Sequence, residues 1–142
     1  MPTKFELKNL AKSRLKEARI LYQKGFYDSS VYLSGYVIEL GLKARICRIL
    51  KLNEYPSSGK IGAVYKTHKI SDLIILGGLL PQLDEKLIVD PDFQVNWSIV
   101  SPWDVSLRYS SIGTNSELVA KETLSALEDP EHGVFSWIKK RW

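Results

Sequence analysis

Residues 29–52 read SSVYLSGYVIELGLKARICRILKL. Val31, Gly35, Ile38, Leu42, Ile46 and Ile49 recur at helical spacing and form one apolar stripe. Tyr32, Tyr36, Leu40, Cys47 and Leu50 form a second stripe beside it. A helix that is apolar on nearly every side is surrounded by other protein. In a chain of 142 residues, that makes this segment the central helix of a bundle, with one face available to a subunit interface. Gly35 and Gly41 each cost roughly 1 kcal/mol of helix stability relative to alanine, and close helix–helix approach is the usual reason to keep them. Asp28 is of the residue type that caps such a helix. Inside it, Glu39 and Lys43 stand four apart in the favourable order. Buried charges cost several kcal/mol unless paired, so the two residues read either as an ion pair that sets helix register or as the wall of a polar pocket.

Working outward, Lys4–Lys24 is a second amphipathic helix. Thr3 and Glu6 have capping-box spacing, Leu7, Leu10, Ala11, Ala18 and Leu21 share one face, and Gly25 ends it. Lys4, Lys8, Lys12 and Lys16 recur every four residues as a basic stripe, which reads as a wet helix face or as a track for phosphates. Asn53–Lys69 is loop-like, rich in Ser and Gly around Pro56. Ile70–Leu80 is helical and stops before Pro81. Asp84–Trp103 is mixed, with one short helix near Phe93–Val100. The last helix starts at Thr114–Glu117, a second capping-box spacing, breaks at Pro130 and restarts toward Ile138. No segment alternates as a strand between hairpin turns. The expected fold is all-α, an up-and-down four- or five-helix bundle formed by residues 1–142 as one domain.

Composition narrows the class. Hydrophobic residues make up 44% and charged residues 25%, ordinary values for a globular chain. One cysteine cannot form an internal disulfide. Cys47, within an apolar helix, reads as an inert small hydrophobe. No signal peptide and no membrane span are read, so a cytoplasmic location is expected. Residues 1–70 carry 14 Lys and Arg against 5 Asp and Glu, whereas residues 71–142 carry 6 against 11. A basic half fits a nucleic-acid or nucleotide partner, a solvated face, or a surface that meets the acidic half of a second copy.

Chemistry-bearing residues are few. His68 and His132 are the only histidines, and with Cys47 they have no metal-ligand spacing. Gly59-Lys60-Ile61-Gly62 lacks the phosphate-loop pattern. No metal and no cofactor are expected. Phe93, Trp97, Trp103, Tyr109, Phe135, Trp137 and Trp142 are assigned to packing before base stacking. If the loops around His68 and Trp103–Tyr109 meet at one end of the bundle, then Glu39, Lys43, His68, Trp103, Arg108 and Tyr109 surround one cleft. That set could orient a nucleotide or staple loops to the bundle.

The order of these features resembles the HEPN domain family of prokaryotic helical bundles. The matching stretches are Gly25–Ala44, His68 with Leu73, Trp103 with Arg108-Tyr109, and Gly133–Ile138. The resemblance implies a helical bundle that works as a homodimer, often beside a minimal nucleotidyltransferase in toxin–antitoxin or defence-like pairs. Many members are RNases that carry an arginine followed, after four to six residues, by a histidine. Arg108 is followed by Tyr109-Ser110-Ser111-Ile112-Gly113-Thr114-Asn115, and none of Arg14, Arg19, Arg45, Arg48 or Arg141 is followed by such a histidine. The general acid–base residue of that chemistry is therefore missing. Three readings follow. One is a non-catalytic module that binds a nucleotide or RNA or docks a nucleotidyltransferase. Another is a divergent metal-independent RNase acting as a dimer through His68 and Arg108. The last is a purely structural dimerisation module. The missing histidine weighs against an enzyme.

Overall fold

A computed structural model describes residues 1–142. Eight α-helices follow in order: α1 Lys4–Gln23, α2 Tyr27–Leu50, α3 Gly59–Tyr65, α4 Ile70–Leu76, α5 Leu80–Val89, α6 Pro91–Val100, α7 Glu117–Glu128 and α8 Val134–Lys139. A 3₁₀ turn, Val105–Tyr109, joins α6 to α7. There is no sheet, only an isolated bridge between Thr3 and Glu54. The expected all-α bundle is the architecture found. No helix is long and apolar enough to cross a membrane.

Helix α2 is the axis, touching α1 along its length and α4, α7, α8 and the 3₁₀ turn elsewhere. This accounts for its apolar residues on all sides: Val37, Ile38, Leu42, Ala44, Ile46 and Cys47 are fully buried. Its glycines are contact points. A Cβ on Gly35 would overlap the Trp103 indole, and one on Gly41 would stand 2.9 Å from an Ile138 methyl. Helix α1 buries only Leu7, Ala11, Leu15 and Ala18, so its opposite side stays wet. Its capping box is complete: the Glu6 amide donates to the Thr3 hydroxyl at 3.1 Å, and the Thr3 amide donates to the Glu6 carboxylate at 2.7 Å. Gly25 takes the left-handed φ of 83° that turns the chain into α2.

Several local expectations are corrected. Helix α2 begins at Tyr27 after Phe26, so Asp28 lies inside the first turn and is not the cap. Its carboxylate accepts instead from the Gly113 and Asn115 amides at 2.7 and 2.8 Å, because a loop distant in sequence outcompetes the local amide. The 53–69 loop contains α3. The helix expected over Ile70–Leu80 ends at Leu76, where Gly77 and Gly78 break it, and Pro81 opens α5. Proline lacks only a donor that the first turn leaves unpaired anyway, so it starts a helix as readily as it stops one. The 84–103 stretch holds two helices, α5 and α6, with Asp90 capping the second. Ser116, not Thr114, caps α7 by accepting from the Val119 amide.

Candidate functional site

Four polar residues of α2, Tyr32, Tyr36, Glu39 and Lys43, follow each other by four, three and four. That spacing places them on one face of the helix. The residues before α4 and the 3₁₀ turn pack over this face. They bring His68 to one end of it and Arg108 to the other.

At the first end, Glu39 is 2% exposed. Its Oε1 accepts from Lys43 Nζ and approaches His68 Nδ1, both at 2.8 Å. Its Oε2 is buried without a protein partner. The Lys43 ammonium also sits 5.3 Å from the Tyr55 ring centroid. The Tyr55 hydroxyl donates to the Tyr65 carbonyl at 2.8 Å, and burial pushes that phenol up. The imidazole of His68 is half-exposed, so one ring nitrogen faces a buried carboxylate while the other has no protein partner. Asp104, which caps the 3₁₀ turn, has its carboxyl held below the usual range, chiefly by Ser106 and further by the nearby Lys69 and His68.

In the middle, the Tyr32 and Tyr36 hydroxyls lie 3.0 Å apart. That hydrogen bond, with burial and the Glu39 charge behind it, pushes the Tyr36 phenol up to about 12. Trp103 closes this segment. Its indole lies over Gly35, its Nε1 donates to the Tyr32 carbonyl at 3.0 Å, and its ring meets Tyr36 edge-on at 5.1 Å.

At the second end, the Arg108 guanidinium lies 4.9 Å from the Tyr109 ring centroid. It forms no ion pair with a carboxylate. Tyr109 is 78% exposed. Arg108 and Tyr32 line a cleft of about 570 Å³ together with the first turn of α2, which has no side-chain cap, and the 110–115 loop. Asp28 fastens that loop, receiving a third hydrogen bond from Asn115 Nδ2 at 3.0 Å.

The expected set is thus brought onto one face, in two parts. Glu39, Lys43 and His68 touch directly. Trp103 and Tyr36 form the divider. Arg108 and Tyr109 stand beyond it. Tyr32, Tyr36 and Asp28 complete the site and were not among the expected members. The four-three-four spacing on α2 was the signal for the tyrosines, while nothing local marks Asp28.

His132, outside this site, meets Asp90 at 2.8 Å, and Asp92 lies near enough for the three to hold an ion. Asp90 is already taken by Lys86 at 2.9 Å and by the Phe93 amide at 3.0 Å. The group reads as the tie between the start of α6 and the turn before α8.

The model of the HEPN domain family matches residues 6–129, most of the chain. No curated protein and no solved structure matches it.

Proposed function

The chain belongs to the HEPN domain family, and on that premise we propose that it is a non-catalytic module that holds a nucleotide or an RNA end at the Arg108 cleft. One observation carries the reading: an exposed guanidinium without a carboxylate partner shares a cleft of about 570 Å³ with the uncapped first turn of α2. Arginine offers planar, paired donors to phosphate oxygens, and unpaired helix amides add to the attraction. Tyr109 supplies an exposed ring beside the guanidinium for a base. Glu39 occupies Lys43 and His68 on the far side of the Tyr36–Trp103 divider, which leaves phosphate contact to Arg108. The missing histidine after Arg108 supports the non-catalytic half of the proposal. A homodimer and a docked minimal nucleotidyltransferase are the partners we propose with it.

Thermal unfolding of wild type and Arg108→Ala with mononucleotides and short RNAs tests this. A ligand at about 100 times its Kd adds about 2.7 kcal/mol, several degrees for a chain of this size. The expected result is a ligand-dependent shift that Arg108→Ala loses. An equal shift in both proteins overturns the assignment of the cleft.

A second reading, a divergent metal-independent RNase, has one observation in its favour. A buried carboxylate fixes one nitrogen of His68 and leaves the other open, the arrangement that orients an imidazole for proton transfer. Incubation with structured and single-stranded RNA in a chelator separates the readings. Cleavage abolished by both His68→Ala and Arg108→Ala supports the second. Absence of cleavage, or cleavage that survives both substitutions, removes it.

A further inference from the structure

Away from the Arg108 cleft, the wet side of α1 meets the end of α8 in a cluster of cations. Lys8 and Lys12 place their ammonium groups 5.3 and 5.7 Å from the Trp142 ring centroid. Trp142 stands edge-on against Phe135 at 5.5 Å, and Lys139 lies 5.1 Å from the Phe135 centroid. From α2, Arg45 and Arg48 donate to the Arg141 carbonyl at 2.9 and 3.3 Å. Arg48 and Lys8 also reach the main-chain oxygen of Trp142, at 3.4 and 3.5 Å.

None of Lys4, Lys8, Lys12, Arg45, Arg48 or Arg141 forms an ion pair with an aspartate or glutamate side chain. The carboxylates of α1 are turned to other work: Glu6 caps the helix at Thr3 and Glu17 pairs with Arg14. Burial, and then the neighbouring Lys4, Arg48 and Lys12 charges, pull the Lys8 ammonium below its ordinary value. The main-chain oxygens of Arg141 and Trp142 that accept from Arg45, Arg48 and Lys8 offset part of the mutual repulsion, and Trp142 anchors the cluster.

We propose that this face, formed by Lys4, Lys8 and Lys12 of α1 with Arg48 and the Trp142 platform, binds the phosphodiester backbone of a nucleic-acid strand. Lys4, Lys8 and Lys12 recur at about 6 Å along the helix axis. An evenly spaced row of cations whose one intervening acid, Glu6, is engaged at the Thr3 cap suits a linear, regularly charged polyanion better than the mixed charges of a protein surface. The indole face holds the Lys8 and Lys12 ammonium groups beside it, so the two charges keep fixed positions on this face. Binding here is independent of the Arg108 cleft, and a long strand engages it where a mononucleotide does not.

Fluorescence anisotropy of labelled 12-mer oligouridylate and oligothymidylate over a salt series tests the proposal. Neutralising about four phosphates gives a slope of log K against log salt of about −3 for a single strand. Lys8→Gln/Lys12→Gln should weaken binding and roughly halve that slope, and Lys4→Gln/Arg48→Gln should do the same without touching the two lysines on the indole. RNA and DNA binding within a few-fold of each other is expected for contacts to phosphate alone, and a large preference for RNA overturns backbone readout. Slopes unchanged in both double variants, or no binding by wild type at low salt, overturn the proposal. Loss of self-association in the variants with strand binding intact would instead give the face to the acidic half of a second copy. Repeating both double variants in an Arg108→Ala background keeps any contact of the strand's end with that cleft out of the comparison. Because the mononucleotide thermal shift reads the Arg108 cleft alone, failure of either proposal leaves the other standing.

Discussion

The Trp103 indole fills the space that a β-carbon on Gly35 would need. The contact joins the middle of α2 to the segment that carries Arg108, with the indole Nε1 donating to the Tyr32 carbonyl at 3.0 Å. It lets the 3₁₀ turn approach α2 closely enough for Arg108 and Tyr32 to share one cleft.

Gly35→Ala should therefore destabilise the protein, although alanine is the better helix former by roughly 1 kcal/mol. Overpacking a well-filled contact costs about 1–3 kcal/mol, and the backbone shift that it forces reaches the cleft wall. Calorimetry should show Tm lowered by several degrees, with nucleotide binding weakened in parallel. An unchanged or raised Tm would mean that Trp103 moves aside freely.

Lys43→Met leaves the buried Glu39 carboxylate facing only a half-exposed imidazole. Removing one partner of a buried pair costs about 3–5 kcal/mol, and the slight exposure of Lys43 places this case near the lower end. Replacing both, Glu39→Leu/Lys43→Met, should recover more than half of the loss, since no charge then stays buried. Urea unfolding of the two variants checks the pair. Equal losses would show that Glu39 is held by His68 more than by Lys43.

Asp28→Ala should free the 110–115 loop. The Gly113 and Asn115 amides both donate to the Asp28 carboxylate. Those two hydrogen bonds also hold the Asp28 carboxyl below its usual range. Hydrogen exchange at the two amides should accelerate by about tenfold or more while α1 and α2 keep their protection. Exchange that stays slow would assign the loop to another anchor.

The His132–Asp90 tie makes stability depend on pH in two windows. Hydrogen bonding to Asp90 raises the His132 imidazole above its ordinary 6.5. Its contribution is therefore complete below 6.5 and is lost as the pH climbs through the raised value. His132, then Lys86 and the Phe93 amide, hold the Asp90 carboxyl far below its ordinary 3.8. That contribution is present above 3.8 and is lost as the pH falls further. The urea midpoint of wild type should decline as the pH rises above 6.5, by a component that His132→Gln lacks. A gap between the two proteins that is constant over this range would remove the tie.

The periodicities short enough to be read along the chain were enough for the fold. An all-round apolar α2, a one-sided α1 and a complete Thr3–Glu6 box each follow from side chains within a few residues of each other, which local backbone geometry dictates. The same logic brought Glu39 and Lys43 together. It misread Pro81, because proline ends one helix or begins another according to what surrounds it. It misassigned Asp28, because a side chain next to a helix start accepts from whichever amides tertiary packing delivers. In the site, residue types and order along the chain were enough to nominate Glu39, Lys43, His68, Trp103, Arg108 and Tyr109. Tertiary structure alone decided that His68 meets Glu39 while Arg108 stands apart behind the Tyr36–Trp103 divider. It also gathered the α1 lysines, Arg48 and Trp142, residues up to 138 positions apart, onto one face. Hydrophobic period is a local property that survives in one dimension. Which charges end up paired depends on chain closure, and no spacing along the sequence records that.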